Sequence, residues 1–232
     1  MQNIQTMDWG EVQTSLHEKG YALLRNVLSP EECLEVISLY PEDQLYRSVI
    51  NMQRYRFGKG EYKYFRYPLS PILHSLRERF YEHLVPVANE WMKQLSLDTR
   101  FPRQHNHLIE SCHAKGQLRP TPLILRYEAG GYNTLHQDLY GEIYFPFQVV
   151  FVLTQTGRDH EGGEFVLTEQ VPRAQSKAVV LSPDQGDALI FTTNFRPVKG
   201  ARGYYRTTMK HGVSEITSGV RYSLGIIFHD AA

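Results

Sequence analysis

Residues 132–141 read YNTLHQDLYG, and within them His136 and Asp138 stand two positions apart. Side chains of an extended strand alternate between faces, so these two point the same way, about 6.6 Å apart along the chain. An imidazole and a carboxylate presented together suit a metal ion if a third ligand arrives from elsewhere.

The surroundings of this stretch predict strands. From Pro120 onward short apolar segments follow one another: PLILRY, FQVVFVL, GEFVLT, KAVVLS, DALIF, YYRTTMKHGV and GVRYSLGIIF, separated by Gly, Pro, Asp and Asn. Such spacing predicts an antiparallel sandwich or jelly roll. The first half reads mainly as helix. MDWGEVQTSLHEKG ends in a glycine suited to a helix C-terminus, LSPEECLEVISLY opens on a Ser-Pro pair suited to a helix start, and YALLRNVL between them fits a strand. SPILHSLRERFYEHLVPVANEWMKQL has helical spacing with a kink or break expected at Pro86, and HLIESCHAKGQ predicts a further helix. No repeat or linker divides the chain. The expectation is one domain over residues 1–232, with a helix-rich part over about 1–119 and a jelly-roll core over about 120–232.

Composition bounds the function. The 232 residues are 41% hydrophobic and 22% charged, enough for a real core. Basic and acidic residues number 25 each, so bulk charge favours no polyanionic partner and any preference must be local. The 2 cysteines, Cys33 and Cys112, make no disulfide framework, and the opening residues lack the layout of a signal peptide, which gives a cytoplasmic location as the expectation. No apolar run reaches the roughly eighteen residues needed to span a bilayer, so no membrane partner is expected.

A third ligand is available in MKHGVSEITSGVRYSLGIIF, where His211 is followed by Arg221. Two histidines and a carboxylate on one face of an octahedral ion are the usual ligation of non-haem Fe(II) oxygenases, and His136, Asp138 and His211 supply that set. A chelating 2-oxo acid in the open positions needs its far carboxylate held by a fixed cation. Arg221 meets that need, because a guanidinium stays charged and pairs with carboxylate through two bonds. Ser223 shares the face of Arg221 and adds a second donor.

Here the chain resembles the Fe(II)/2-oxoglutarate-dependent oxygenases of the double-stranded β-helix fold, particularly the prolyl 4-hydroxylase-like branch. The shared pattern is H-x-D, then a distal His followed about ten residues later by a basic residue. LSPEEC, RYEAGGYNTLHQD, GGEF and PDQGDALIF resemble further landmarks of that branch. The run HQDLYGE, GGEFVLTEQ, HGVS and GIIFHD is similar to a bacterial and fungal family whose label ties it to oxidation of damaged nucleic acid. The resemblance implies a mainly β fold with flanking α-helices, with His136, Asp138 and His211 as iron ligands and Arg221 as the 2-oxoglutarate anchor. It adds Tyr127 as a hydrogen-bond partner of the co-substrate. It implies Fe(II) and 2-oxoglutarate, with ascorbate in support, and a dioxygenase that hydroxylates or demethylates a C–H bond, releasing succinate and CO2. Arginine stands where many prolyl hydroxylases have lysine, which weakens a prolyl reading. The partners implied are 2-oxoglutarate and O2. The primary substrate is left between a peptidyl side chain, a modified nucleobase and a small metabolite, and a non-catalytic iron or 2-oxoglutarate sensor is the reading of another class.

Other histidines read as structural. His105, His107, Cys112 and His113 lack paired zinc spacing and suit a helix surface, His160 reads as a turn, and His229 as a strand-end residue. Residues 46–67, YRSVINMQRYRFGKGEYKYFRY, and 195–210, FRPVKGARGYYRTTMK, are basic and rich in aromatics. If they form one groove beside His211, Arg54, Arg56 and Lys63 would meet phosphates and Tyr64 would stack on a base. The competing reading is a basic face whose tyrosines cover the sheet.

Overall fold

A computed structural model describes residues 2–232. The chain runs α1 (Trp9–Lys19), β1 (Tyr21–Leu24), α2 (Pro30–Ser38), β2 (Tyr46–Asn51), α3 (Met52–Tyr55), β3 (Gly58–Lys59), β4 (Glu61–Phe65), α4 (Pro71–Gln94) and α5 (His105–Ala114). It continues through β5 (Leu123–Glu128), β6 (Tyr132–His136), β7 (Phe147–Val152), β8 (His160–Gly162), β9 (Phe165–Gln170), β10 (Lys177–Leu181), β11 (Ala188–Thr192), β12 (Phe195–Gly200), β13 (Gly203–Val213) and β14 (Ile216–Ile227).

The helix ends follow local chemistry. Asp8 accepts from the Glu11 amide before α1, and Gly20 closes that helix in the left-handed region. Ser29 and Glu32 cap α2 reciprocally, with Pro30 in its first turn. Of the kink or break expected at Pro86, the break does not occur, since α4 continues for 24 residues. Pro86 lies on the exposed side, so the carbonyl it leaves without a donor faces water, while Leu84, Val85, Val87, Ala88 and Trp91 around it are buried. Their burial, at about 1.5–3 kcal/mol for each large apolar side chain, outweighs the missing bond.

All strand pairs are antiparallel. An 8-stranded sheet runs β1-β11-β7-β14-β5-β4-β2 with β8 beside β14, and a 6-stranded sheet runs β10-β9-β13-β6-β3 with β12 beside β13. The architecture is therefore mainly β with flanking helices, as the segment spacing predicts. The N-terminal part adds more than helices, since β1 and β4 extend the larger sheet and β3 extends the smaller.

Strand β7 shows how the layers share the core. Phe147, Val149 and Phe151 turn toward the helices, where Phe80 meets Phe151 edge-on at 5.5 Å and Trp91 meets Phe147 at 4.6 Å. On the opposite side, Val150 packs with Phe165, Leu167 and Phe191 between the sheets. Arg77 of α4 ties the helical layer to the end of the chain through a buried pair with Asp230 at 2.7 Å.

Candidate active site

Strands β6 and β13 build the site from the smaller sheet. Their register sets His136 directly opposite His211, with ring centroids 4.1 Å apart. Asp138 lies just past the end of β6 and turns back to the pair, its Oδ2 3.2 Å from His211 Nε2 and its Oδ1 3.6 Å from His136 Nε2. The donor atoms of the three residues all lie within 4.8 Å of one another. Gly212 permits this approach, because a Cβ there would stand 2.7 Å from the Asn133 carbonyl oxygen on β6.

The protonation states suit ligation. His136 Nδ1 lies 2.8 Å from the Thr134 carbonyl, a contact in which the ring donates and leaves Nε2 free. Burial works to raise the Asp138 pKa, but hydrogen bonding and charge from His211, with help from His136 and Tyr140, outweigh it and hold the carboxyl well below its usual range. Burial, reinforced by His136, lowers the pKa of His211 and favours its neutral form.

The larger sheet supplies the opposite wall. Arg221 on β14 pairs in register with Tyr127 on β5, and its guanidinium stands 5.9 Å from the centre of that ring. Arg221 is 2% exposed and has no carboxylate within 4.0 Å among the described residues; its Nη1 donates to Ser223 Oγ at 3.3 Å. Burial presses against the charged form, yet a guanidinium keeps its proton. The Tyr127 hydroxyl is buried without a hydrogen-bond partner. Gly163, at φ +76°, leaves the path of the Arg221 side chain clear: a Cβ there would stand 2.8 Å from Arg221 Cδ.

Triad, Arg221, Ser223 and Tyr127 all line one cavity of about 250 Å³. Two residues of it were not singled out in the sequence. Tyr140 donates to Asp138 Oδ1 at 2.6 Å, and carrying the period-two reading one step beyond Asp138 points to it. Gln148, 7% exposed, sets Nε2 3.3 Å from His211 Nε2 and leaves Oε1 unpartnered. Its signal was a lone amide within FQVVFVL.

Of the other candidates, Tyr64 lines the same cavity and most of the rest fall elsewhere. Lys63 is buried, donating to Asp43 at 2.9 Å and to the Tyr40 carbonyl at 3.0 Å, and so is unavailable to a phosphate. Tyr64 is 8% exposed, with the Arg47 guanidinium over its ring at 4.4 Å, so it offers no open stacking platform. The second basic stretch forms the β12–β13 hairpin, which runs away from His211, its turn about 26 Å off along an extended strand. Only the end of that stretch at Lys210 adjoins His211 in the chain. Arg54, Tyr55, Arg56 and Phe57 are exposed, with the two rings stacked at 5.5 Å and Phe57 lining the cavity. His160, expected in a turn, begins β8 and is buried. His105 and Cys112 lie inward on α5 instead of on its surface, because that helix packs against the core with His105 Nε2 2.8 Å from the Phe228 carbonyl. His229 is buried just after β14 and accepts from the Phe145 amide at 3.0 Å.

A family model, Oxygenase-NA, described as an oxygenase catalysing oxidative methylation of damaged DNA, matches residues 60–231. An uncharacterized protein of Mycobacterium tuberculosis is 46% identical over 165 residues, 71% of this chain and 71% of its own. Among solved structures, a Pseudomonas putida prolyl-4-hydroxylase superposes with a TM-score of 0.57 at 13% identity, over 96% of this chain and 100% of its own. An oxidoreductase of the 2OG-Fe(II) oxygenase family from Burkholderia pseudomallei gives 0.55 at 16% identity, over 97% of this chain and 93% of its own. At such identities the likeness is one of fold.

Proposed function

The chain belongs to the Oxygenase-NA family of oxygenases, and from that premise we propose that it is an Fe(II)- and 2-oxoglutarate-dependent dioxygenase that oxidises a C–H bond of a modified nucleobase. The observation that carries the co-substrate is Arg221, a buried guanidinium that lacks a carboxylate and opens into the same cavity as His136, Asp138 and His211. The donor set fits the metal: two imidazoles and one carboxylate suit ferrous iron.

A ferrous ion held by the triad, with 2-oxoglutarate and dioxygen, supplies the oxidising power that puts oxygen into the substrate C–H bond, with succinate and CO2 as co-products. The rest falls to the chain. Arg221 meets the distal carboxylate of 2-oxoglutarate, Ser223 adds a hydrogen bond beside it, and the unpartnered Tyr127 hydroxyl completes the cradle. Phe165, lying parallel to the His211 ring at 5.9 Å, and Phe191 at 4.6 Å shield the ligand from water. At a methyl carried on nitrogen, oxidation of the carbon ends in its loss, so the outcome there is demethylation.

Support for a nucleobase comes from the family's description and from Arg54, Tyr55, Arg56 and Phe57 beside the cavity, where cations can meet phosphates and a stacked ring pair can meet a base. A cytoplasmic location goes with this reading, since both cysteines are free thiols and no described helix is long and apolar enough to cross a membrane. Succinate formation tests it. Purified protein with Fe(II), ascorbate and 2-oxoglutarate should produce succinate, faster when methylated single-stranded DNA is added, and His211→Ala should abolish both rates while staying folded. Equal succinate from the parent and from His211→Ala would refute the assignment.

A further inference from the structure

A line of polar side chains ends on one oxygen of Asp138. Tyr140 donates to Asp138 Oδ1 at 2.6 Å, and Tyr64 donates in turn to the Tyr140 hydroxyl at 3.1 Å. Behind Tyr64 stands Arg47, over its ring at 4.4 Å and held by donation from Nε to the Pro120 carbonyl at 2.8 Å. The backbone at Tyr140 is fixed as well. Gln117, 1% exposed, donates to the carbonyls of Tyr140, Ile143 and Asp230 and accepts from the Ile143 amide. So Tyr64 stands in the cavity wall with Arg47 over its ring, although both read in the sequence as part of a basic aromatic stretch.

The two oxygens of Asp138 are treated differently. Oδ1 receives the Tyr140 hydroxyl, whose own donation is strengthened by the bond it accepts from Tyr64. Oδ2 faces His211 Nε2 and has no hydroxyl donor among the described residues. A carboxylate can ligate through one oxygen or through both, and the second mode uses up a coordination position. An octahedral ion with three protein ligands has three positions left, which a two-oxygen Asp138 would reduce to two. That is too few for a chelating 2-oxo acid and dioxygen together.

Resting on the oxygenase reading, we infer that Tyr140, backed by Tyr64, is a positioning residue that keeps Asp138 a one-oxygen ligand. With the phenol on Oδ1, Oδ2 alone would be left to meet the ion, and the neighbouring position would stay open for 2-oxoglutarate.

Calorimetry separates this from a merely structural tyrosine. The metal-free protein is titrated with Mn(II), and the Mn(II)-loaded protein with 2-oxoglutarate. In Tyr140→Phe, Mn(II) binds one per chain at least as tightly as in the parent, because a carboxylate relieved of a donor is the stronger base. Affinity for 2-oxoglutarate falls about tenfold or more, the usual scale for groups that orient a ligand from behind. Tyr64→Phe shifts 2-oxoglutarate affinity in the same direction by a smaller factor. Unchanged 2-oxoglutarate affinity in Tyr140→Phe overturns the inference, as does a parallel loss of Mn(II) and 2-oxoglutarate binding with a lowered unfolding temperature. Should Tyr140→Phe fail to fold, Tyr64→Phe decides alone, and parent-like 2-oxoglutarate affinity there is fatal. A parent protein that binds no Mn(II) overturns the oxygenase reading itself, and this inference with it.

Discussion

At Arg221 a full charge sits 2% exposed, with a serine hydroxyl as its one side-chain hydrogen-bond partner among the described residues. Such a group is costly until a counter-charge arrives, and removing one member of a buried pair costs about 3–5 kcal/mol. Arg221→Ala should therefore weaken 2-oxoglutarate binding by roughly two to four powers of ten, and Arg221→Lys by less, because lysine keeps the charge and loses the planar fork. Equilibrium binding of 2-oxoglutarate to the Mn(II)-loaded variants checks this, and a parent-like Arg221→Ala would mean that another cation holds the carboxylate. That His136, Asp138, His211 and Arg221 would gather at one cavity was legible because type and spacing carry the information: H-x-D, the distal histidine and the arginine after it need no coordinates. Gln148 and Tyr140 were not, since an amide and a phenol have many uses, and only placement beside His211 and Asp138 selects one.

Elements were legible where a local signal set them. Helix ends at Ser29 and Gly20 are fixed through bonds made within a few residues, and the Ser29-Pro30 pair and Gly20 read correctly. Pro86 does not break α4, because a local rule was overruled by distant packing along that helix. The basic stretch over residues 46–67 divides for a related reason, since alternation in β4 (Glu61–Phe65) buries the Lys63 ammonium against Tyr40 and Asp43 and leaves Arg54, Arg56, Lys59 and Arg66 as its exposed cations. Of these, Arg54 and Arg56 flank the ring pair whose Phe57 lines the cavity, so charge reversal is placed there. Arg54→Glu with Arg56→Glu should weaken single-stranded DNA binding and flatten the linear fall of log affinity with log salt by about 0.7 for each phosphate that is no longer neutralised. The measurement is binding at several salt concentrations; DNA affinity that is insensitive to salt, or untouched by the reversals, would move the substrate to a peptide or small molecule.

Across the whole molecule, burial keeps several histidines neutral. Desolvation, with Arg77 adding to it, pushes His105 down to about 3 and His229 to about 4, while His160, also near Arg221, falls to about 4. Below about pH 6.5 the unfolded chain takes up these protons and the native chain does not. Stability is thus full above that pH and is lost as pH falls toward 4, by about 1.4 kcal/mol per pH unit for each such proton. The depressed carboxyl of Asp230, buried but held down chiefly by Arg77, adds to the loss at the acid end. Urea midpoints at pH 7, 6 and 5, with unchanged slope, should fall in that order, and a flat series would show that these histidines titrate normally. The jelly roll was legible as a rhythm of apolar segments, whereas its strand order was not, because pairing partners lie far apart in the chain. The His136 and His211 pair carries this into kinetics. Its halves lie 75 residues apart in the chain (211 less 136), so the ligand set is complete only once loop closure between them is achieved, a slow kind of contact to form. An ion that needs all three ligands recognises the finished chain and not its precursors. It therefore acts as a lock on the exit from the native state, slowing unfolding while leaving the rate of entry untouched.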